Sequence, residues 1–200
     1  MNQAIDMLMQ EHRVIEKVLG ALLAFAERLE QGGQAERATL LEFAEFFRNF
    51  ADKCHHGKEE DKLFTEMIRH GFPREQGPLA VMYHEHDQGR EHVRALAELG
   101  GGAGPLAAEE IASAVRHARC FAALLSAHIQ KEDTVLYPMS GRFLSSLDYE
   151  RLAGEFEAFE KEVMGDGAHE RYHELAHRLI ERFGATEMEG LVDHGCCHHG

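Results

Sequence analysis

Two stretches of this sequence repeat one pattern of residues that bind metal ions. Residues 55–64 and residues 128–137 both read His-x-x-Lys-Glu-acid-x-x-Leu-aromatic. In a helix, residues i and i+4 lie on one face, so each stretch can present an imidazole and a carboxylate to one ion or to two adjacent ions. Because the whole pattern recurs, it predicts a metal site more strongly than a single His-x-x-x-Glu would.

The first stretch leaves two registers open, because His56 and Glu60 have the same spacing as His55 and Glu59. The overlay on the second stretch selects His55 and Glu59. A helical wheel at about 100° per residue also places His55 beside the apolar arc, with His56 and Glu60 on the solvated side. We therefore predict that His55 and Glu59 bind the metal and that His56 is exposed.

Two further helical segments offer a histidine for the same site. His12 lies on the apolar stripe of its segment, and His86, on another segment, can lie at the same level of the bundle. His84, two residues before His86, points in a different direction and is predicted to be exposed. The predicted metal ligands are His12, His55, Glu59, His86, His128 and Glu132. Four imidazoles and two carboxylates are too many for one tetrahedral zinc ion and suit two ions bridged by the glutamates. Imidazole with carboxylate suits iron, and also manganese or zinc.

Helical periodicity predicts the elements that must position these residues. Apolar residues recur at helical spacing in six segments, separated by breaks that contain glycine or proline. The predicted helices span about 4–30, 35–70, 77–99, 106–137, 148–164 and 168–183, with Pro138 ending the fourth. The first four, joined by three short connections, predict an all-α, up-down-up-down four-helix bundle followed by two additional helices.

The antiparallel order brings the ligands to one level of the bundle. At about 1.5 Å per residue, His12 lies roughly 27 Å from the connection between the first two helices, and His55 lies roughly 32 Å from the same connection. The predicted domains are a metal-binding bundle over residues 1–140, a helical extension over residues 141–185, and a flexible Cys/His tail over residues 186–200.

Composition restricts the classes of function. The formal net charge of −14 over 200 residues argues against nucleic acid or an anionic membrane as a partner. The amino terminus lacks the features of a secretory signal, and no apolar run approaches the length of a membrane span. Four cysteines without a disulfide-like pattern favour the cytoplasm. The 15 histidines are an unusual excess and favour a metal.

These motifs resemble the hemerythrin-like (HHE cation-binding) family. They are Glu-His-Arg-x-Ile around His12, the two His-x3-Glu stretches, Glu-His-Asp-x-Gly-Arg around His86, and Leu-Tyr-Pro after Glu132. The resemblance covers about residues 3–140 and implies a non-heme di-iron site inside a four-helix bundle. The oxygen carriers of the family have a second histidine where this chain has Arg90, and they separate the last histidine and carboxylate by five positions instead of four. Both departures argue against reversible oxygen carriage. In these two features the chain is similar to the bacterial branch associated with oxygen, nitric oxide and redox stress.

Arg90 has two predicted orientations. It sits four residues after His86, so it can lie over the centre and favour an anionic occupant of an open coordination position. It can equally turn outward to pair with a surface acid. Glu60, Asp61 and Asp133 are predicted to be solvated charges, with the alternative that one of them contacts a ligand histidine.

The favoured hypothesis for function is a di-iron protein that binds or senses O2, NO or peroxide in a redox or stress response. The predicted ligands and a solvent bridge leave at least one iron with an open position. A second hypothesis is an oxidoreductase or an iron donor in iron–sulfur cluster repair. It ranks lower because the chain offers no acid–base pair apart from the ligands. A third is a metal-stabilised scaffold whose last two helices form a homodimer.

Overall fold

The computed structural model describes residues 2–33, 36–165 and 167–184, and within them every regular element is a helix. The uninterrupted helices are α1 (Gln3–Glu30), α3 (Pro78–Gly100), α5 (Ser146–Met164) and α6 (Ala168–Phe183). Helix α2 joins Arg37–Phe46, the π-helical segments Phe47–His56 and Glu59–Phe64, and Thr65–Arg69. Helix α4 joins Ala108–Lys131, a π-helical turn over Glu132–Leu136, and Tyr137–Ser140. The predicted tail over residues 186–200 lies outside the described residues.

The first four helices form a bundle, and the last two cover one side of it. Helix α1 packs against α4, α4 against α3 and α3 against α2, and α2 returns to α1. Helix α5 lies against α1 and the π-helical part of α2, while α6 lies against α1 and the start of α2. The predicted all-α bundle with two additional helices is confirmed. None of the helices described combines the length and the apolar character required to cross a bilayer.

Two apolar clusters fill the interior, and a polar layer lies between them. On α1, Leu8 belongs to one cluster and Ile15 to the other, with His12 between them. The same order is found on α2, α3 and α4, where the histidines lie between residues of the two clusters. Each buried leucine or phenylalanine contributes about 1.5–3 kcal/mol. The apolar clusters therefore fix the four helices on both sides of the polar layer.

The prediction that Pro138 ends the fourth helix is wrong, since α4 continues to Ser140. Pro138 lies in the first turn of the segment Tyr137–Ser140, directly after the π-helical turn. A proline is tolerated there because its missing N–H would have no partner within that segment.

Arg37 holds the glycine-rich connection between α3 and α4. Its guanidinium donates to the carbonyl oxygens of Leu99 and Gly104, the latter at 2.7 Å. It also pairs with Glu110 at 2.8 Å. One side chain thus satisfies a carbonyl at the end of α3 and ties it to the first turn of α4.

Substitutions at two glycines test this packing. A Cβ on Gly100 would lie 3.0 Å from the backbone oxygen of Arg37 and 2.8 Å from Cγ of Leu41. We expect Gly100→Ala to lower the free energy of unfolding by about 1–3 kcal/mol, because the close approach of α2 to α3 leaves no space for a methyl group. In the matched control Gly154→Ala, on α5, the new Cβ meets no atom within 4 Å. The control should raise the same free energy by about 0.5–1 kcal/mol. Urea unfolding measures both, and equal shifts would contradict this packing.

Candidate metal centre

The π-helical segments of α2 place two adjacent histidines inside the bundle. A π-helical turn closes i→i+5 hydrogen bonds, so successive side chains diverge by less than the roughly 100° of an α-helix. His55 is 1% exposed and His56 is 6% exposed. The prediction that His56 is exposed is therefore wrong. The helical wheel assumed α-helical geometry throughout α2, and under that assumption only one of the two histidines could face inward.

The structure brings all six predicted ligands together with His56 in one buried layer. One group of candidate ligands consists of His56, Glu59, His86 and His128. A second group consists of His12, His55, Glu59 and Glu132. The ligand atoms within each group lie within 4.8 Å of one another. Glu59 belongs to both groups. Glu132, of the second group, lies 3.2 Å through Oε2 from His128 Nε2 of the first.

Several inward-facing atoms of this layer have no hydrogen-bond partner. Among the described residues, the buried atoms without a partner include His55 Nε2, Glu59 Oε2 and both carboxylate oxygens of Glu132. Leaving a buried polar atom unsatisfied costs about 1–3 kcal/mol. His55 Nε2 lies 3.6 Å from Glu59 Oε2, too far for a hydrogen bond but suited to a cation between them. The donor set therefore fits metal ions, which would satisfy these atoms together.

Each histidine of the layer also contacts a second carboxylate through Nδ1. The pairs are His12–Asp133 at 2.8 Å, His55–Glu11 at 2.9 Å, His56–Asp52 at 3.4 Å, His86–Glu60 at 2.7 Å and His128–Glu85 at 2.9 Å. In a neutral imidazole, a carboxylate at Nδ1 favours the tautomer in which Nδ1–H donates and Nε2 keeps its lone pair. The arrangement therefore orients the Nε2 atoms for metal binding.

The roles of Glu11 and Glu85 were not predicted from the sequence. Glu60 and Asp133 were predicted to be solvated, and for both the alternative, contact with a candidate ligand histidine, is the one observed. A weak signal was present, because Glu11 precedes His12 and Glu85 precedes His86. However, Glu11 and Glu85 bind histidines of other helices, at positions 55 and 128. A pattern within one helix cannot reveal a partner on another.

The two buried glutamates have opposite pKa shifts. Burial and the negative charge of Glu132 raise the pKa of Glu59 well above its ordinary value. Burial also disfavours the ionised form of Glu132, but the facing His128 and His12 hold its pKa well below the ordinary value. Burial lowers the pKa of His128, but Glu132 and Glu85 outweigh it and raise that pKa to about 9. Without metal, His128 therefore keeps its proton at neutral pH, and the protonated form of Glu59 is favoured relative to that of a free glutamate.

Tyr137 fixes the orientation of Glu59. Its hydroxyl donates to Glu59 Oε1 at 2.7 Å and lies 3.4 Å from His12 Nε2. Because Oε1 accepts this bond, Oε2 is left facing the cluster without a partner. The aromatic residue at the end of the repeated sequence pattern thus supports the second group of ligands.

Lys58 connects the last two helices to the metal centre. Its ammonium group is fully buried and contacts Glu11 as well as Glu160 of α5, the latter at 3.2 Å. Burial raises the pKa of Glu11, but His55 and Lys58 outweigh it and lower that pKa to about 2. Glu11 therefore stays ionised and accepts the Nδ1–H bond of His55. A chain of contacts runs from α5 through Lys58 and Glu11 to a candidate ligand.

Arg90 takes the outward of its two predicted orientations. Its guanidinium donates to Asp52 at 2.8 Å, to Glu60 at 2.7 Å and to Asp87 at 2.8 Å. Asp52 and Glu60 are the carboxylates that contact His56 and His86 through Nδ1. Arg90 therefore positions the partners of two histidines instead of facing the centre itself. His56 stacks its ring on His86 with centroids 3.8 Å apart. It supplies an imidazole that was not among the predicted ligands.

Comparison with known proteins identifies relatives of this chain. The model of the Hemerythrin HHE cation binding domain matches residues 3–140. Uncharacterized protein Rv1995 of Mycobacterium tuberculosis (strain ATCC 25618 / H37Rv) and Uncharacterized protein Mb2018 of Mycobacterium bovis are each 25% identical over 166 residues. The alignments cover 80% of this chain and 62% of each relative, so the chain spans about three fifths of the length of these curated relatives. No solved structure matches the chain.

Removal of the buried ammonium group tests the chain of contacts through Lys58. We expect Lys58→Met to lower the free energy of unfolding of the metal-free protein by about 3–5 kcal/mol, because the buried Glu11 carboxylate loses its lysine partner and keeps only the hydrogen bond from His55. The double variant Lys58→Met/Glu11→Gln should regain part of this loss. The exposed Lys53 lies on the same helix, and Lys53→Met should change stability by less than about 0.5 kcal/mol. Urea unfolding measures all three, and equal effects at positions 53 and 58 would exclude the proposed network.

The pKa of His128 predicts opposite pH dependences for stability and metal uptake. A histidine whose pKa rises from 6.5 to about 9 on folding contributes stability that is lost as the pH passes from neutrality to about 9. The metal-free protein should therefore lose about 2 kcal/mol between pH 7 and pH 9. Metal affinity should increase over the same range, because the ion must displace the proton from Nε2.

Urea unfolding at the two pH values, with calorimetry of metal uptake in buffers of different ionisation enthalpy, measures both trends. His128→Gln should remove its share of the pH-dependent loss, whereas the control His84→Gln, at an exposed position, should keep it. A parent protein whose stability is constant from pH 7 to pH 9 would contradict the proton on His128.

Proposed function

This chain belongs to the hemerythrin HHE cation binding domain family, and from that premise we propose that its centre holds two iron ions and binds O2, NO or peroxide. In this proposal the protein acts in the cytoplasm as a binding or sensing protein in a redox or stress response. The observation that carries the proposal is the pair of buried ligand groups that share Glu59. A non-heme iron pair supplies open coordination positions and one-electron chemistry toward such small molecules.

The ligand groups support two ions with unequal surroundings. One group contains three imidazoles, from His56, His86 and His128, and the other contains two, from His12 and His55. His12, His55, Glu59 and Glu132 would hold an ion in the second group with four protein ligands. A five- or six-coordinate ion at that position would retain room for a small molecule or water.

The residues of the chain protect and orient this site. Glu59, Glu132 and four of the candidate histidines are no more than 1% exposed, so bulk water is excluded from most of the layer. The carboxylates at Nδ1 hold the imidazoles in the tautomer that ligates through Nε2. Tyr137 keeps one oxygen of Glu59 engaged, at 2.7 Å, so that the other remains free for metal. These features favour a preorganised centre that responds to small molecules rather than a substrate pocket with separate acid–base groups.

Metal analysis of purified variants tests the ligand set. We expect the parent to contain two iron ions per chain and His56→Ala to lose much of this iron, since His56 lies in the first ligand group. The matched control is His84→Ala, which removes an exposed histidine of α3 and should keep the iron. The same analysis would reveal manganese or zinc in place of iron. Full iron content in His56→Ala would exclude His56 as a ligand.

Rapid mixing of the reduced, iron-loaded protein with O2, NO and peroxide tests the activity. A saturable change in the absorption spectrum without consumption of the added molecule would support binding or sensing. Continuous consumption would instead favour an oxidoreductase. An iron-loaded protein that responds to none of the three would contradict the proposal and favour a metal-stabilised scaffold.

A further inference from the structure

A cavity of about 300 Å3 lies between α2 and α3, and His56 forms part of its wall. Its apolar wall comes from three helices and includes Phe47, Val93 and Phe121. Gly89 widens the cavity, because a Cβ at this position would lie 3.4 Å from the ring of Phe121. The cavity thus joins the protein surface to one side of the metal centre.

His56 is the candidate ligand through which the metal layer reaches this cavity. It is 6% exposed, whereas every other candidate ligand is 0% or 1% exposed. Its Nδ1 contacts Asp52, which also lines the cavity and pairs with Arg90. A molecule in the cavity would therefore lie directly against a candidate ligand and its supporting carboxylate.

Two arginines at the edge of the cavity have no partner among the described residues. Arg48 and Arg94 are exposed and line it, and neither has an ion pair or hydrogen bond with any residue that the structure describes. Arg90, which also lines the cavity, is neutralised by three carboxylates. In a chain of net charge −14, two free guanidinium groups beside an apolar wall form a local attraction for an anion.

The volume of the cavity is suited to a molecule larger than a diatomic ligand. At about 30 Å3 per water molecule, the cavity corresponds to roughly ten waters. It falls at the lower end of the volumes of small-molecule sites, about 300–1,000 Å3. An apolar wall with guanidinium groups at its edge complements a molecule that has an apolar body and one carboxylate, because guanidinium and carboxylate form charge-assisted hydrogen bonds.

We propose that this cavity binds a small organic monocarboxylate, with its apolar body against Phe47, Val93 and Phe121 and its carboxylate between Arg48 and Arg94. The site lies beside the metal centre, so its role as a second ligand site of that centre rests on the function proposed above. Through His56, an occupant of the cavity adjoins the ligand group that contains three imidazoles.

Calorimetric titration at low ionic strength tests the proposal with benzoate and with its neutral analogue benzamide. We expect benzoate to bind saturably and at least about tenfold more tightly than benzamide, because only benzoate pairs with the arginines. Arg48→Gln and Arg94→Gln should each weaken benzoate binding by about two- to fivefold, as expected for exposed ion pairs. Arg142→Gln, at an exposed arginine that does not line the cavity, should leave the affinity unchanged.

Filling the cavity provides an independent test. Gly89→Leu should abolish benzoate binding, and its melting temperature and metal content establish that the variant is folded. If this variant does not fold, the double variant Arg48→Gln/Arg94→Gln decides the question. Absence of saturable benzoate binding in the parent, or equal affinity in the parent and the double variant, would overturn the carboxylate site.

Metal content measured on the same samples separates this proposal from the function proposed above. An iron-loaded parent that does not bind benzoate overturns the carboxylate site and leaves the metal centre standing. A parent that binds benzoate but takes up no metal overturns the proposed function and supports the carboxylate site.

Discussion

The burial of Glu59 and Glu132 among five imidazoles is the constraint on which the rest of the structure depends. Both carboxylates are fully buried, and three of their oxygens have no hydrogen-bond partner among the described residues. Keeping two neighbouring buried carboxylates ionised costs free energy, which explains why their pKa values shift in opposite directions. Cations between them would remove both the repulsion and the unsatisfied atoms, so the fold and the metal centre are energetically linked.

The carboxylates that contact Nδ1 link the geometry of the centre to the packing of the helices. Glu11 of α1 contacts His55 of α2, and Glu85 of α3 contacts His128 of α4. A relative shift of two helices would therefore misplace an imidazole as well as break a hydrogen bond. Lys58 extends this linkage to α5 through its contact with Glu160. The additional helices thus help to hold the centre, although they contribute none of the candidate ligands.

The centre is also asymmetric with respect to solvent. His56, the candidate ligand with the greatest exposure, borders the cavity between α2 and α3, whereas the histidines on α1 and α4 are buried. Apolar clusters lie on both sides of the polar layer, and among the candidate ligands only His56 lies on an exposed side of it. Arg48 and Arg94 line the same cavity. In the carboxylate site proposed above, their positive charge favours an anionic occupant.

The sequence by itself determined the features that follow from local periodicity. The spacing of apolar residues predicted six helices, and the repeated His-x-x-x-Glu pattern placed His128 and Glu132 on the inward face of α4. Residue i and residue i+4 share a helix face wherever the chain is helical, so these inferences need no tertiary contact. The apolar stripe of the first segment identified His12 in the same way, because a histidine on such a stripe is predicted to face the interior.

Only the tertiary structure decided the inward position of His56 and the partners of the histidines. The π-helical segments of α2 alter the angle between successive side chains, and the spacing of apolar residues did not predict these segments. Glu11, Glu85 and Asp133 look like ordinary charged neighbours until the helices that contact them are known. Each of these carboxylates binds a histidine between 43 and 121 residues away in the chain. Such contacts arise from the packing of different helices, which a single helical period does not encode.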